Sequence, residues 1–153
     1  MKKLEILRQS IIVLFAILLI QGCGSSSKRS EFGKKEFQLE PIADGYSIIF
    51  YKLDDFARVY LNDEMIVDTA EKFGMAPKNE VLVDLTPYLK SGIQNLKVEL
   101  YNGQCVDCNL NRWAIFYEVF VGDESLEFVS EDSNDKNDDL GLKVTNTHQI
   151  DVP

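Results

Sequence analysis

The chain has 153 residues, with 25 acidic and 16 basic side chains, a formal net charge of −9 and one histidine. The charge is uneven: residues 41–153 hold 21 carboxylates and 9 basic groups, a net of −12, while residues 24–40 carry a net of +1. So acidic a body excludes nucleic acid as a partner and disfavours lying on anionic lipid, because both are held by basic patches.

In chain order, residues 1–22 read as an export signal. Lys2, Lys3 and Arg8 form a basic start, and Ile11 to Ile20 is an unbroken ten-residue apolar run. That run is too short for a permanent span, which needs about 20 apolar residues, and has the length of a signal-peptide core. It ends in Leu19-Ile20-Gln21-Gly22-Cys23, which resembles a bacterial lipobox. The resemblance implies cleavage before Cys23, a thioether-linked diacylglyceryl group on its sulfur and an acyl chain on its new amino terminus. Each buried CH₂ contributes about 0.8 kcal/mol, and two or more chains anchor stably where one does not. Gly24 stands where the inner-membrane retention signal of enterobacteria has Asp, so the same resemblance implies an outer-membrane address. Residues 23–40 are rich in Ser and Lys and read as a lipidated flexible spacer. Residues 41–153, 113 in number, are enough for one domain with its own core and too few for two.

The periodicity of that domain is that of strands. Tyr46–Tyr51 is β-branched and aromatic; Phe56–Leu61 runs through the turn cluster Asn62-Asp63-Glu64 into Met65–Val67, a hairpin signal. Val81, Val83 and Leu85 alternate on one face, as do Leu96, Val98 and Leu100. Trp113–Val121 is the longest strand, and Gly122-Asp123 turns it into Ser125–Val129. Only Thr69–Phe73 has helical character. Between two strands, Thr86 is placed to cap a short turn opened by Pro87, and Gly92 to end it with a positive φ. Six or seven short strands predict an all-β antiparallel sandwich.

"FARVYLNDEMI" (56–66) and "VDLTPYLKSGIQNLKVELYN" (83–102) resemble the galactose-binding-like jelly roll, closest to the sugar-binding domain of family 2 glycoside hydrolases. Val59, Leu61 and Asn62 match its V-x-L-N-G strand end. Asp84, Leu85, Thr86, Tyr88, Leu89, Gly92, Leu96 and Val98 match its D-L-T-x-Y-L-x-x-G-x-N-x-L-x-V segment. Asp63 stands where that pattern has Gly, and Gln94 where it has Asn. Residues 112–128 are similar to the long strand and hairpin that follow, so the likeness covers about residues 44–130. It implies a jelly-roll sandwich and a carbohydrate-binding role. The catalytic pair of those hydrolases sits in a separate barrel for which this chain has no room. With no G-x-S-x-G and no legible acid–base arrangement, neither an enzyme nor a cofactor is expected.

Candidate chemistry gathers between 101 and 113. Cys105 and Cys108 are the two thiols left once Cys23 is lipidated; in an oxidising compartment a disulfide is the default, stiffening the loop. A redox pair and a metal site are the alternatives. The first lacks the helix N-terminus that lowers a thiol pKa, and the second has only the distant His148 to add. Trp113, Arg112, Asn102, Asn109, Asn111 and Tyr101 form the candidate ligand site. Aromatic faces stack on the C–H faces of a sugar while Asn and Arg bond its hydroxyls, although Trp113 also opens an apolar strand. In the acidic run 131–139, Asp135, Asn137 and Asp139 have an EF-hand spacing. Leu140 replaces the required Gly and Asn146 the required Glu, which favours a solvated loop over calcium. The expected partners are the membrane, through the lipid, and either a glycan or, alternatively, another envelope protein docked on the sandwich.

Overall fold

The computed structural model describes residues 39–104, 110–134 and 138–153, all within the unit Lys34–Pro153. Residues 1–38, with the export signal, Cys23 and most of the spacer, lie outside the described residues. So do Cys105, Cys108, Asn109, Asp135 and Asn137.

Eight strands form two four-stranded antiparallel sheets. They are β1 (Tyr46–Asp54), β2 (Phe56–Leu61), β3 (Glu64–Asp68), β4 (Val81–Asp84), β5 (Gly92–Asn102), β6 (Ala114–Val121), β7 (Glu124–Asp132) and β8 (Gly141–Val152). The first sheet has the order β4-β1-β6-β7 and the second β3-β2-β5-β8. The chain therefore changes sheet at every connection except the β2–β3 and β6–β7 hairpins. Alternation dictates the packing. Ile48, Phe50 and Leu53 of β1 meet Val83, Ile115, Tyr117 and Val119 within their sheet, and face Ala57, Val59, Leu96, Val98 and Leu100 of the other; all are buried. Removing such surface from water supplies the main stabilisation, about 25 cal/mol per Å².

The turns obey their residues. In the β2–β3 hairpin Asn62 and Asp63 have φ of 49° and 67°, the left-handed pair that suits the twist of a two-residue loop. Asp63, where the galactose-binding-like pattern has Gly, belongs to the residue types that tolerate this region. The expected helix is α1 (Thr69–Phe73), capped by the Asp68 side chain, which accepts from the Ala70 and Glu71 amides. The turn Thr86–Tyr88 is a 3₁₀ turn whose cap differs from expectation. Leu85 precedes it and provides no side-chain cap, while the Thr86 hydroxyl reaches 40 positions back to accept from the Tyr46 amide at 2.9 Å. It thereby ties this turn to the start of β1. Asp84 Oδ1 accepts instead from the Thr86 amide. Gly92 has the expected positive φ, 94°.

β8 is the strand the pattern concealed. Its twelve residues pair with β5 along almost their whole length. Its inner face carries Val144, Asn146, His148 and Ile150. His148, 7 % exposed, bridges the two sheets at the β7–β8 side of the sandwich. Its Nδ1 lies 2.6 Å from Glu127 Oε2 on β7, and its Nε2 lies 2.6 Å from the hydroxyl of Tyr117 on β6. A carboxylate only accepts, so Nδ1 carries a proton and donates to Glu127, while Nε2 shares a hydrogen bond with the phenol. Beside this relay Asn146 donates to Glu131 Oε1 at 3.0 Å.

Candidate functional site

Strand register builds the site. Asp54 ends β1, Ala114 begins β6 and Asp132 ends β7; Ala114 pairs with Asp54 on one side and with Asp132 on the other. Their neighbours Leu53 and Ile115 point into the core, so Asp54 and Ala114 point away from it. Adjacent strands lie about 4.8 Å apart, which places the two carboxylate-bearing backbones about 10 Å from one another across the small Ala114. A cleft of about 470 Å³ opens there, walled by Lys52, Arg112, Trp113, Ser133 and Asn134 besides the two aspartates.

The loops hold Trp113 on both sides. Its backbone pairs with Ser133: the Ser133 amide donates to the Trp113 carbonyl at 3.0 Å, and the Trp113 amide to Ser133 Oγ at 3.4 Å. Its indole Nε1–H donates to Asp138 Oδ2 at 2.8 Å, while Lys143 Nζ bonds Asp138 Oδ1 at 3.0 Å. The side chain of Trp113 is partly buried against the core, as the apolar-strand reading expects, and the residue also stands in the wall of the cleft. Asn102 and Asn111 do not line the cleft. Asn102 Nδ2 donates to the carbonyls of Asp138 and Asp139, at 3.4 and 2.8 Å, and Asn111 Nδ2 to that of Asp138 at 3.3 Å. These two asparagines hold the segment that holds the indole. On the far side, Asp55 accepts from the Gly103 amide through Oδ2 and from the Ala76 amide through its carbonyl at 2.7 Å, fixing the start of the loop that returns as Arg112.

Tyr101 is placed elsewhere. Alternation turns it to the outer face of the second sheet, where it stacks on Phe56 with centroids 5.2 Å apart and planes 7° from parallel. The guanidinium of Arg58 sits 4.7 Å from the Tyr101 centroid and bonds Asp68 at 2.9 Å. The Tyr101 hydroxyl donates to Glu99 at 2.8 Å. Burial, then the same Glu99, pushes the Tyr60 phenol beside it up to about 12. Sequence adjacency to Asn102 suggested one site; the pleat separates them.

The cleft lining carries two cations and two carboxylates, and the Asp55 carboxylate stands beside it. Lys52 and Arg112 face Asp54 and Asp132. Burial first, and then the neighbouring Asp55 carboxylate, raises the Asp54 pKa, against the opposing pull of Lys52 and Arg112. Asp138 is held down to about 2 by the hydrogen bond from Trp113, with Lys143 and the Asp139 amide adding to it. A carboxyl depressed from 3.8 favours the folded state when ionised. Its contribution is complete above the ordinary value and is lost as pH falls towards about 2. An NMR titration is expected to give the Asp138 side chain a midpoint near 2, with the indole Nε1–H shift of Trp113 following the same curve; a midpoint near 3.8 would detach the indole from this anchor.

Comparison with family models, with curated proteins and with solved structures finds no match. The site must be read from its own geometry. Lys52, Asp54, Asp132, Ser133 and Asn134 belong to it and were not among the candidates, because they come from the ends of β1 and β7, which only the register across β6 brings together.

Proposed function

We propose that this chain is a membrane-anchored cell-envelope lipoprotein whose sandwich binds carbohydrate without catalysing, at the cleft flanked by Trp113 and Arg112. The observation that carries the reading is a firmly held tryptophan in the wall of a polar hollow. Trp113 is held by Asp138 at its ring edge and by Ser133 at its backbone, and the walls supply hydroxyl, amide, carboxylate and cationic groups. A pyranose needs such a pairing of an apolar surface with convergent hydrogen-bonding groups. The tether reading rests on the lipobox-like Leu19–Cys23, and the outer-membrane address on Gly24. A disulfide between Cys105 and Cys108 would stiffen the loop that delivers Arg112.

A second reading, docking of another envelope protein, is favoured by one feature. Where β1 starts, Tyr88, 43 % exposed, lines a smaller hollow with Ile66 and Lys90, and Met65 and Ile93 on β3 and β5 are 49 and 66 % exposed. A glycan array separates the two. Binding is expected to at least one glycan class and to fall more than about tenfold with Trp113→Ala, an anchor loss of roughly 1.4 kcal/mol or more. An array without any binder, together with a specific protein crosslinked through position 93, would favour docking. For the anchor, Cys23→Ser is expected to move the protein out of the detergent phase, and unchanged partitioning would remove the lipid from the account.

A further inference from the structure

We infer that the cleft selects neutral glycans bearing adjacent free hydroxyls over acidic ones, with Asp54 and Asp132 as specificity-determining acceptors and Lys52 as a donor. This rests on the carbohydrate reading above and deepens it.

The argument begins with what each wall can do. Carboxylates only accept hydrogen bonds and ammonium or guanidinium groups only donate them, whereas a sugar hydroxyl does both. Two acceptors facing each other across Ala114, with cationic donors between and beside them, therefore match hydroxyl pairs, each pair giving a hydrogen to one wall and a lone pair to the other. Asp132 Oδ1 already accepts from the Asn134 amide at 2.6 Å, which fixes its side chain and leaves the second oxygen for a ligand. Lys52 is held with its ammonium 5.4 Å from the Phe116 ring, so it too stands in a defined place. The methyl of Ala114 leaves the floor low enough for a ring to sit between the walls.

Charge then decides against acids. The two cations of the lining meet two carboxylates there and Asp55 beside Asp54, so a ligand carboxylate gains no net local attraction, and it meets Asp54 or Asp132 at close range. Further out, the −12 of residues 41–153 repels a polyanion before contact. A neutral polyol meets neither penalty.

The test compares neutral hexose oligosaccharides with the same oligosaccharides oxidised at C6 to uronates, titrated against the full chain in detergent. Neutral forms are expected to bind at least about tenfold more tightly, with little dependence on salt. Asp132→Asn, at an exposed position whose loss does not unfold the sandwich, and Asp54→Asn are expected to raise affinity for the uronates while weakening the neutral forms, a reversal that a purely structural role does not produce. Ala114→Leu is expected to abolish both. Uronates binding as well as or better than their neutral parents would overturn the selectivity and leave the carbohydrate reading standing. Binding of neither series would overturn that reading itself.

Discussion

Replacing His148 by alanine is expected to lower the stability of the sandwich by about 3 kcal/mol, seen as an earlier urea midpoint with an unchanged slope. The imidazole is 7 % exposed and joins edge strand β8 of one sheet to edge strand β7 and inner strand β6 of the other. Removing it takes away the 2.6 Å partner of the wholly buried Tyr117 hydroxyl and leaves it the Asn146 side chain, and the loss of a buried hydroxyl's bond costs about 1–3 kcal/mol before any cavity is counted. The phenol cannot escape by ionising, because burial, with the Glu127 charge adding, pushes its pKa well above the usual range. The Glu127 side chain is 56 % exposed, so Glu127→Gln should cost under about 1 kcal/mol. Tyr117→Phe with His148→Leu removes both partners together and should lose less than the sum of the single changes. A loss below about 1 kcal/mol for His148→Ala would mean that this side of the sandwich is held by apolar contacts alone.

The same relay explains what was legible. β4 and β5 could be read because Val81-x-Val83-x-Leu85 and Leu96-x-Val98-x-Leu100 alternate without interruption, and every one of these residues is buried. β8 alternates too, yet its inner face runs Val144, Asn146, His148, Ile150. Two polar residues break the apolar period, since their partners Glu131 and Glu127 lie on an edge strand of the opposite sheet. Amphipathic pattern detects burial against oil, not burial against a partnered carboxylate. In the cleft, Arg112 and Trp113 were legible as residue types in a polar loop. Asp54 and Asp132 were not, because 78 positions separate them and only the registers Asp54–Ala114 and Ala114–Asp132 make them neighbours. Tyr101 was misplaced for the converse reason: adjacent residues of a strand point to opposite faces.

Phe50→Ala is expected to cost about 3–5 kcal/mol, the range for emptying a large aromatic site that cannot collapse. Phe50 is 1 % exposed at the centre of β1, paired with Tyr117 on one side and Val81 on the other, and its ring centroid lies 5.5 Å from that of Tyr117. A domain of 113 residues has a total stability of about 5–15 kcal/mol, so this one change removes about a fifth of it or more, and Phe50→Leu is the milder companion if the alanine form does not fold. Its value lies in the coupling. Phe50 supports the Tyr117 ring from one side and His148 holds the Tyr117 hydroxyl from the other, so the two replacements should not be independent. A ring freed by Phe50→Leu can rotate away from His148, after which deleting the imidazole costs less. The double variant should therefore fall short of additivity by about 0.5–1.5 kcal/mol. Strict additivity would show that Tyr117 is held by its strand alone, and that core and relay are separate supports of the same wall.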